Sequence, residues 1–172
     1  DPKNPRWSYG ASKLHGEVSL YSAHHQYNLN ILVLRFHNIY GPRMGTKHVI
    51  PDFINRVLNN HFELFGAYDT RSFLYVKDAA KLSIMISEKN KKNNNIVNLG
   101  SNNEISILNL AEKILRIMKL SKKIKINPSP VGSVKRRCPD ISYLLKIVGD
   151  FEFTDLDHGL HEVIKFIKGD SI

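Results

Sequence analysis

Between Tyr9 and about Tyr27 apolar side chains fall at helical spacing, with Leu14, Val18, Tyr21 and His25 along one line and Asn28 as a stop. This pattern predicts an amphipathic helix. Asn30-Ile31-Leu32-Val33-Leu34-Arg35-Phe36 follows as a short, nearly continuous apolar run, the pattern of a strand buried on both faces of a parallel sheet. A helix followed by a buried strand is half of a doubly wound unit. His37 to Arg43 is polar and turn-forming, at the carboxyl end of that strand, where open α/β sheets bind their ligands.

A second helix is expected from Ile50 or Pro51 to Leu58, with the proline in its first turn. Glu63-Leu64-Phe65 reads as a short strand ending at Gly66, and a turn at Tyr68-Asp69-Thr70 leads into the run from Arg71 to Val76. Asp78 stands where a helix N-cap belongs, with Ala79 to Glu88 as the helix. Ile96 to Gly100 is another buried strand. Ser106 caps a helix from Ile107 to Met118 whose Leu110, Ile114 and Ile117 form one apolar face. Ile124 and Ile126 alternate with lysines as on a half-exposed strand, Pro128 to Pro139 is mostly loop, and helices are expected at Ile141 to Val148 and Leu156 to Ile167.

The chain has 172 residues, 42% hydrophobic and 24% charged, enough for a sizeable core in one domain or one domain plus part of another. A single cysteine, Cys138, excludes an intrachain disulfide framework, and no apolar run reaches the length of a membrane span. The expected setting is cytoplasmic, with no membrane. The opening at Asp1, which passes from a turn at Pro2 and Pro5 straight into the Tyr9 helix, reads as a cut through a larger protein. The net charge of +9 raises nucleic-acid binding, but the basic residues are scattered. Lys89 to Asn95 reads as a solvated loop, only Lys135-Arg136-Arg137 is compact, and no zinc spacing or stacking motif accompanies them. No nucleic-acid partner is expected, and the histidines have no metal-ligand spacing.

Tyr9 and Lys13 lie four residues apart and so project from one helical face. A phenol with a pKa near 10 is a poor base at neutral pH; lowering it by about 3 units takes roughly 4 kcal/mol. One ammonium at about 4 Å, at an effective dielectric near 20, supplies that much. The pair can therefore act as a general acid/base if a substrate and an electron acceptor lie beside it.

Five ordered motifs carry a resemblance that covers essentially the whole chain. They are Tyr9-Gly10-Ala11-Ser12-Lys13 with Gly16-Glu17, Arg35-Phe36-x-Asn38-x-Tyr40-Gly41-Pro42-Arg43, Arg71-x-Phe73-x-Tyr75-Val76-x-Asp78, Asn98-x-Gly100-Ser101, and Arg137-x-Pro139-Asp140. Together they resemble the second half of an extended short-chain dehydrogenase/reductase, within it the nucleoside-diphosphate-sugar epimerases, dehydratases and decarboxylases. The resemblance implies the later part of a Rossmann-like doubly wound parallel sheet plus a small α+β substrate-binding domain. Residues 1–40 would be partial Rossmann fold and 41–172 mainly the substrate-binding domain, with about 72–100 returning to the Rossmann sheet.

The resemblance also implies roles. Tyr9 would be the catalytic base and Lys13 would hold the nicotinamide ribose of NAD, with Phe36 and His37 beside the cofactor. Asn38 would meet the sugar or a phosphate, or else simply form the turn before Tyr40. Backbone at His48, Val49, Glu63 and Phe65 would line the nucleotide pocket, with Val49 and Phe65 equally readable as core. Arg71 would grip the diphosphate with paired hydrogen bonds, joined by Arg137, with Arg136 as the alternative; Asp140 would cap the helix after it.

The implied partner is a nucleoside-diphosphate sugar, and the intact protein would be a homodimer, epimerase before dehydratase or decarboxylase. One departure stands out: no Gly-rich loop for a dinucleotide pyrophosphate occurs in the 172 residues. The chain alone is therefore expected to be inactive. A non-catalytic module that binds a nucleotide sugar or a protein partner is the competing reading.

Overall fold

The structure, a computed structural model, describes residues 7–89, 95–130 and 132–169. The expected turn at Pro2 and Pro5 and the interior of the Lys89 to Asn95 loop lie outside the described residues.

Helix α1 (Ser8–Tyr27) stops where Asn28 takes left-handed backbone, φ 52°. Strand β1 (Leu32–Phe36) leads through a sharp bend at Asn38 into β2 (Ile39–Tyr40). Helix α2 (Val49–Leu58) carries Pro51 in its first turn and buries Ile50, Phe53, Ile54 and Val57 along one stripe. β3 (Glu63–Phe65) ends at Gly66, where φ is +64° and an added Cβ would lie 2.8 Å from Asp69 Oδ2, so glycine is required there on two counts. β4 (Thr70–Ser72), β5 (Leu74–Tyr75) and α3 (Val76–Lys89) follow. After β6 (Asn95–Leu99) and β7 (Glu104–Ser106), the Ser106 hydroxyl accepts from the Asn109 amide and starts α4 (Ile107–Ile117). β8 (Lys125–Asn127), β9 (Arg136–Arg137), α5 (Ser142–Val148) and α6 (Leu156–Lys168) complete the described chain. Asp140 accepts from the Ser142 amide at the head of α5, the expected capping contact.

The fold is α/β, and its strand pairs are mainly parallel. β1 lies beside β6, with Val33 opposite Ile96 and Arg35 opposite Asn98. β2 pairs β5 through Tyr40 and Tyr75, and β3 pairs β8 through Leu64 and Ile126. β4 is the middle of a three-stranded sheet, antiparallel to β7 and parallel to β9. One hydrophobic cluster joins β6, α3 and α5 through Val97, Leu99, Leu82, Ile86 and Leu144. The other joins α2, α4 and α6 through Phe53, Ile54, Leu110, Ile114, Leu160 and Val163, and includes Tyr40. The Tyr40 ring is packed so tightly on α6 that a Cβ at Gly159 would lie 2.1 Å from its hydroxyl.

Three expectations need correction. The apolar line of α1 is not buried: Leu14 and Val18 stay exposed, and α1 has no buried residue. β1 is parallel as expected, yet only Val33 is buried and Phe36 is exposed, since among the described residues its one sheet neighbour is β6. The run from Arg71 to Val76 divides between two sheets at Phe73, β4 pairing β7 and β9 while β5 pairs β2. Asp78 is not an N-cap but lies within the first turn of α3, its buried carboxylate accepting from the Thr154 amide at 2.8 Å and hydroxyl at 2.9 Å.

Candidate functional site

A groove of about 550 Å³ runs between α1 and β1, lined by Tyr9, Lys13, Leu14, Glu17, Phe36 and His37 among others. The helical spacing brings the Lys13 ammonium over the Tyr9 ring, 5.1 Å from its centroid, a cation–π contact. Tyr9 is 72% exposed, so its hydroxyl is open to a ligand. Phe36 and His37 stand at the carboxyl end of β1. The His37 amide donates to Leu99 O at 2.9 Å, and its imidazole Nε2 lies 3.3 Å from Asn98 Oδ1. The Asn98 amide nitrogen donates to Asp140 O at 3.1 Å. This orients Asn98 so that its oxygen faces the imidazole. An ammonium, a phenol and flat side chains on one wall can take a ribose with an attached heteroaromatic ring.

Helix α1 is held to the sheet by Glu17 and Arg35, whose side chains meet in two parallel hydrogen bonds of 2.7 and 2.6 Å. Arg35 holds the Glu17 carboxyl below the usual glutamate range, chiefly through that hydrogen bond. A bidentate carboxylate–guanidinium pair fixes orientation as well as distance, so the pair sets where Tyr9 and Lys13 stand relative to β1.

Arg71 and Arg137 are register partners on β4 and β9, and paired residues of neighbouring strands share a face. The Arg71 side chain is only 14% exposed. Its Nη1 donates to Thr70 O at 2.7 Å and Lys135 O at 3.3 Å, while Nη2 lies 3.9 Å from Asp69 Oδ2. Asp69 is itself held by the hydroxyls of Ser129 and Ser133 at 3.3 and 3.0 Å. Burial first, and repulsion from Arg137 second, push the Arg71 pKa down from its ordinary value. Arg136 points to the other face, where Glu104 grips it in a bidentate pair with contacts of 3.0 and 2.8 Å.

Asn38 has positive φ, 44°, and its side-chain nitrogen donates to Ser72 O at 2.9 Å, joining the end of β1 to the β4 strand beside Arg71. His48, Val49, Glu63 and Phe65 do not line the groove. His48 precedes α2 and is exposed, whereas Val49 packs partly buried against the core. Glu63 pairs Lys125 at 2.7 Å and its carbonyl accepts from Arg56 at 2.6 Å. Phe65 is half-exposed rather than core. The sequence reading missed Asp69, Ser129, Ser133 and Glu104. Asp69 is a near neighbour of Arg71 that the turn reading left without a role, whereas Ser129 and Ser133 reach Asp69, and Glu104 reaches Arg136, across more than 30 positions, which no local spacing signals.

Among the described residues, no helix is long and apolar enough to cross a membrane. Among relatives, the chain is 36% identical over 116 residues to a dTDP-D-glucose 4,6-dehydratase of Dictyostelium discoideum, covering 66% of this chain and 26% of that protein. The fold is similar to a UDP-N-acetylglucosamine 4-epimerase from Methanobrevibacter ruminantium in complex with UDP-N-acetylmuramic acid, with a TM-score of 0.84, 29% identity and coverage of 95% of this chain and 54% of that one. It is also similar to a UDP-glucuronic acid 4-epimerase from Bacillus cereus in complex with UDP-glucuronic acid and NAD, with a TM-score of 0.82, 28% identity and coverage of 94% and 52%. The chain thus spans between a quarter and about half of the length of these relatives. Residues 1–100 match the family model described as the NAD dependent epimerase/dehydratase family, and this chain belongs to that family.

Proposed function

We propose that this chain is the acid/base and substrate-binding portion of an NAD-dependent enzyme that modifies nucleoside-diphosphate sugars, epimerisation being the favoured outcome. The observation that carries the reading is the pairing of Arg71 with Arg137 in register on adjacent strands. The two guanidinium groups repel each other, and a bound diphosphate would relieve that repulsion while taking donors beyond the Arg71 Nη1 bonds to Thr70 O and Lys135 O. The relatives in complex with UDP-sugars support the same ligand class.

The groove between α1 and β1 fits the nicotinamide riboside end of NAD: Lys13 supplies donors for ribose hydroxyls, and Phe36 and His37 supply flat walls. The pyrophosphate end would be held by a Gly-rich loop, which the 172 residues do not contain. Bound NAD supplies reversible hydride acceptance. In this reading Tyr9 takes the proton of a sugar hydroxyl and later returns it, with Lys13 stabilising the phenolate. Asn38 holds the end of β1 against β4, so that the groove and the arginine pair keep a fixed separation. The clusters around β6 and around α2, α4 and α6 correspond to the Rossmann-type and substrate-binding parts, and the exposed line of α1 offers a homodimer contact.

Isothermal titration of this chain with UDP and with the free sugar tests the ligand class. UDP is expected to bind and the sugar not; equal, weak binding of both removes the diphosphate reading.

A further inference from the structure

We propose that Glu104 is a positioning residue for the diphosphate site: it latches Arg136 to one face of the β7-β4-β9 sheet and thereby holds Arg137 on the opposite face, beside Arg71. The inference rests on the proposed reading of Arg71 and Arg137 as a diphosphate clamp. β9 is two residues long, and both of its side chains are exposed, so no hydrophobic anchor fixes which residue faces which way. A one-residue slip or a rotation of so short a strand would exchange Arg136 for Arg137. The contacts that prevent it run diagonally over one face. Glu104 on β7 accepts from the Thr70 hydroxyl on β4, and Thr70 is the register partner of Arg136. The same carboxylate takes Arg136 Nε at 3.0 Å on both oxygens and Nη2 at 2.8 Å. One carboxylate thus ties all three strands together, and the planar guanidinium fixes the direction of the Arg136 side chain. Alternation along β9 then leaves Arg137 on the Arg71 face. The Thr70 amide donates to Lys135 O at 2.8 Å, a backbone bond that favours the same register at the approach of β9, and the Glu104 contacts hold that register through the side chains.

The sign of the effect separates positioning from plain electrostatics. Glu104 is an anion near a site for an anion, so a purely coulombic role predicts tighter UDP binding when its charge is removed. Positioning predicts the reverse. The test is calorimetric titration of the 172-residue chain with UDP at two salt concentrations, with thermal unfolding of each variant alongside. Arg137→Ala reads the clamp itself and is expected to weaken binding about thirtyfold, while Glu104→Gln and Arg136→Gln each weaken it about tenfold and the double variant no further. All three are expected to flatten the salt dependence. The exchanged pair Glu104→Arg/Arg136→Glu is expected to restore binding to within about threefold of the parent. Unchanged binding in Arg137→Ala removes the clamp and this inference with it. A normal Arg137→Ala loss combined with unchanged or tighter binding in Glu104→Gln and Arg136→Gln overturns the inference alone, as does failure of the exchanged pair to restore binding.

Discussion

Glu17 on α1 and Arg35 on β1 form a two-point ion pair at 2.7 and 2.6 Å, and α1 has no buried residue of its own. Among the described residues this charged contact ties the Tyr9/Lys13 helix to β1, and a charge-dependent tie is sensitive to pH and salt.

The Glu17 carboxyl has its pKa lowered by Arg35, so its contribution is fully present above the unfolded glutamate value of about 4.3 and is lost as pH falls through the lower folded value. Acidification below about pH 4 is expected to release α1 before the rest of the fold. The single tryptophan, Trp7, lies immediately before α1 and reports the release by fluorescence anisotropy. Glu17→Gln should show the released signal already at pH 7; a parent-like signal in that variant contradicts the assignment.

Replacement of Arg71 by alanine is expected to weaken UDP binding by about 2 kcal/mol, roughly thirtyfold, because a partly buried charge-assisted contact is lost. Arg71→Lys should recover little of it, since an ammonium cannot reproduce the paired geometry. Calorimetric affinities of the two variants within a factor of about two of the parent would take Arg71 out of the site.

For Tyr9, the expected result is a separation of binding from chemistry. In a protein that carries both this chain and a dinucleotide-binding half, Tyr9→Phe should reduce turnover at least about a hundredfold while leaving nucleotide-sugar affinity within about twofold. Near-parent turnover would exclude the acid/base role.

The Tyr40 hydroxyl is buried with no hydrogen-bond partner among the described residues, and burial raises its pKa well above the ordinary phenol value. A phenol that must stay neutral in the fold costs stability as pH rises past the unfolded value near 10. Tyr40→Phe is expected to be close to neutral at pH 7 and to reduce the loss of stability above about pH 10. Gly159→Ala, whose Cβ would overlap that ring, should cost about 1–3 kcal/mol or more in chemical denaturation. A variant as stable as the parent would mean that α6 shifts freely on Tyr40.

What local chemistry dictates was legible in the chain. The helical spacing of Tyr9 and Lys13, the stop at Asn28, Pro51 in the first turn of α2, the Gly66 bend and the Ser106 cap each depend on a few neighbouring residues, and the structure has all of them. The motif order likewise identified the family, which the match over residues 1–100 establishes.

Other features were settled only by long-range pairing. The run from Arg71 to Val76 carries no mark at Phe73 that would divide it between two sheets; β2 on one side and β7 and β9 on the other make that division. Asp78 looks like a cap by position, but Thr154, far along the chain, claims its carboxylate. Arg136 and Arg137 are chemically alike as neighbours, and only strand register with β4 and the hold of Glu104 distinguish them. By itself the sequence determined where helices, the Ser106 cap and the Tyr/Lys pair lie, because those depend on spacing along the backbone. Which charged groups face one another was decided by tertiary structure, because strand partners distant in the chain set that choice.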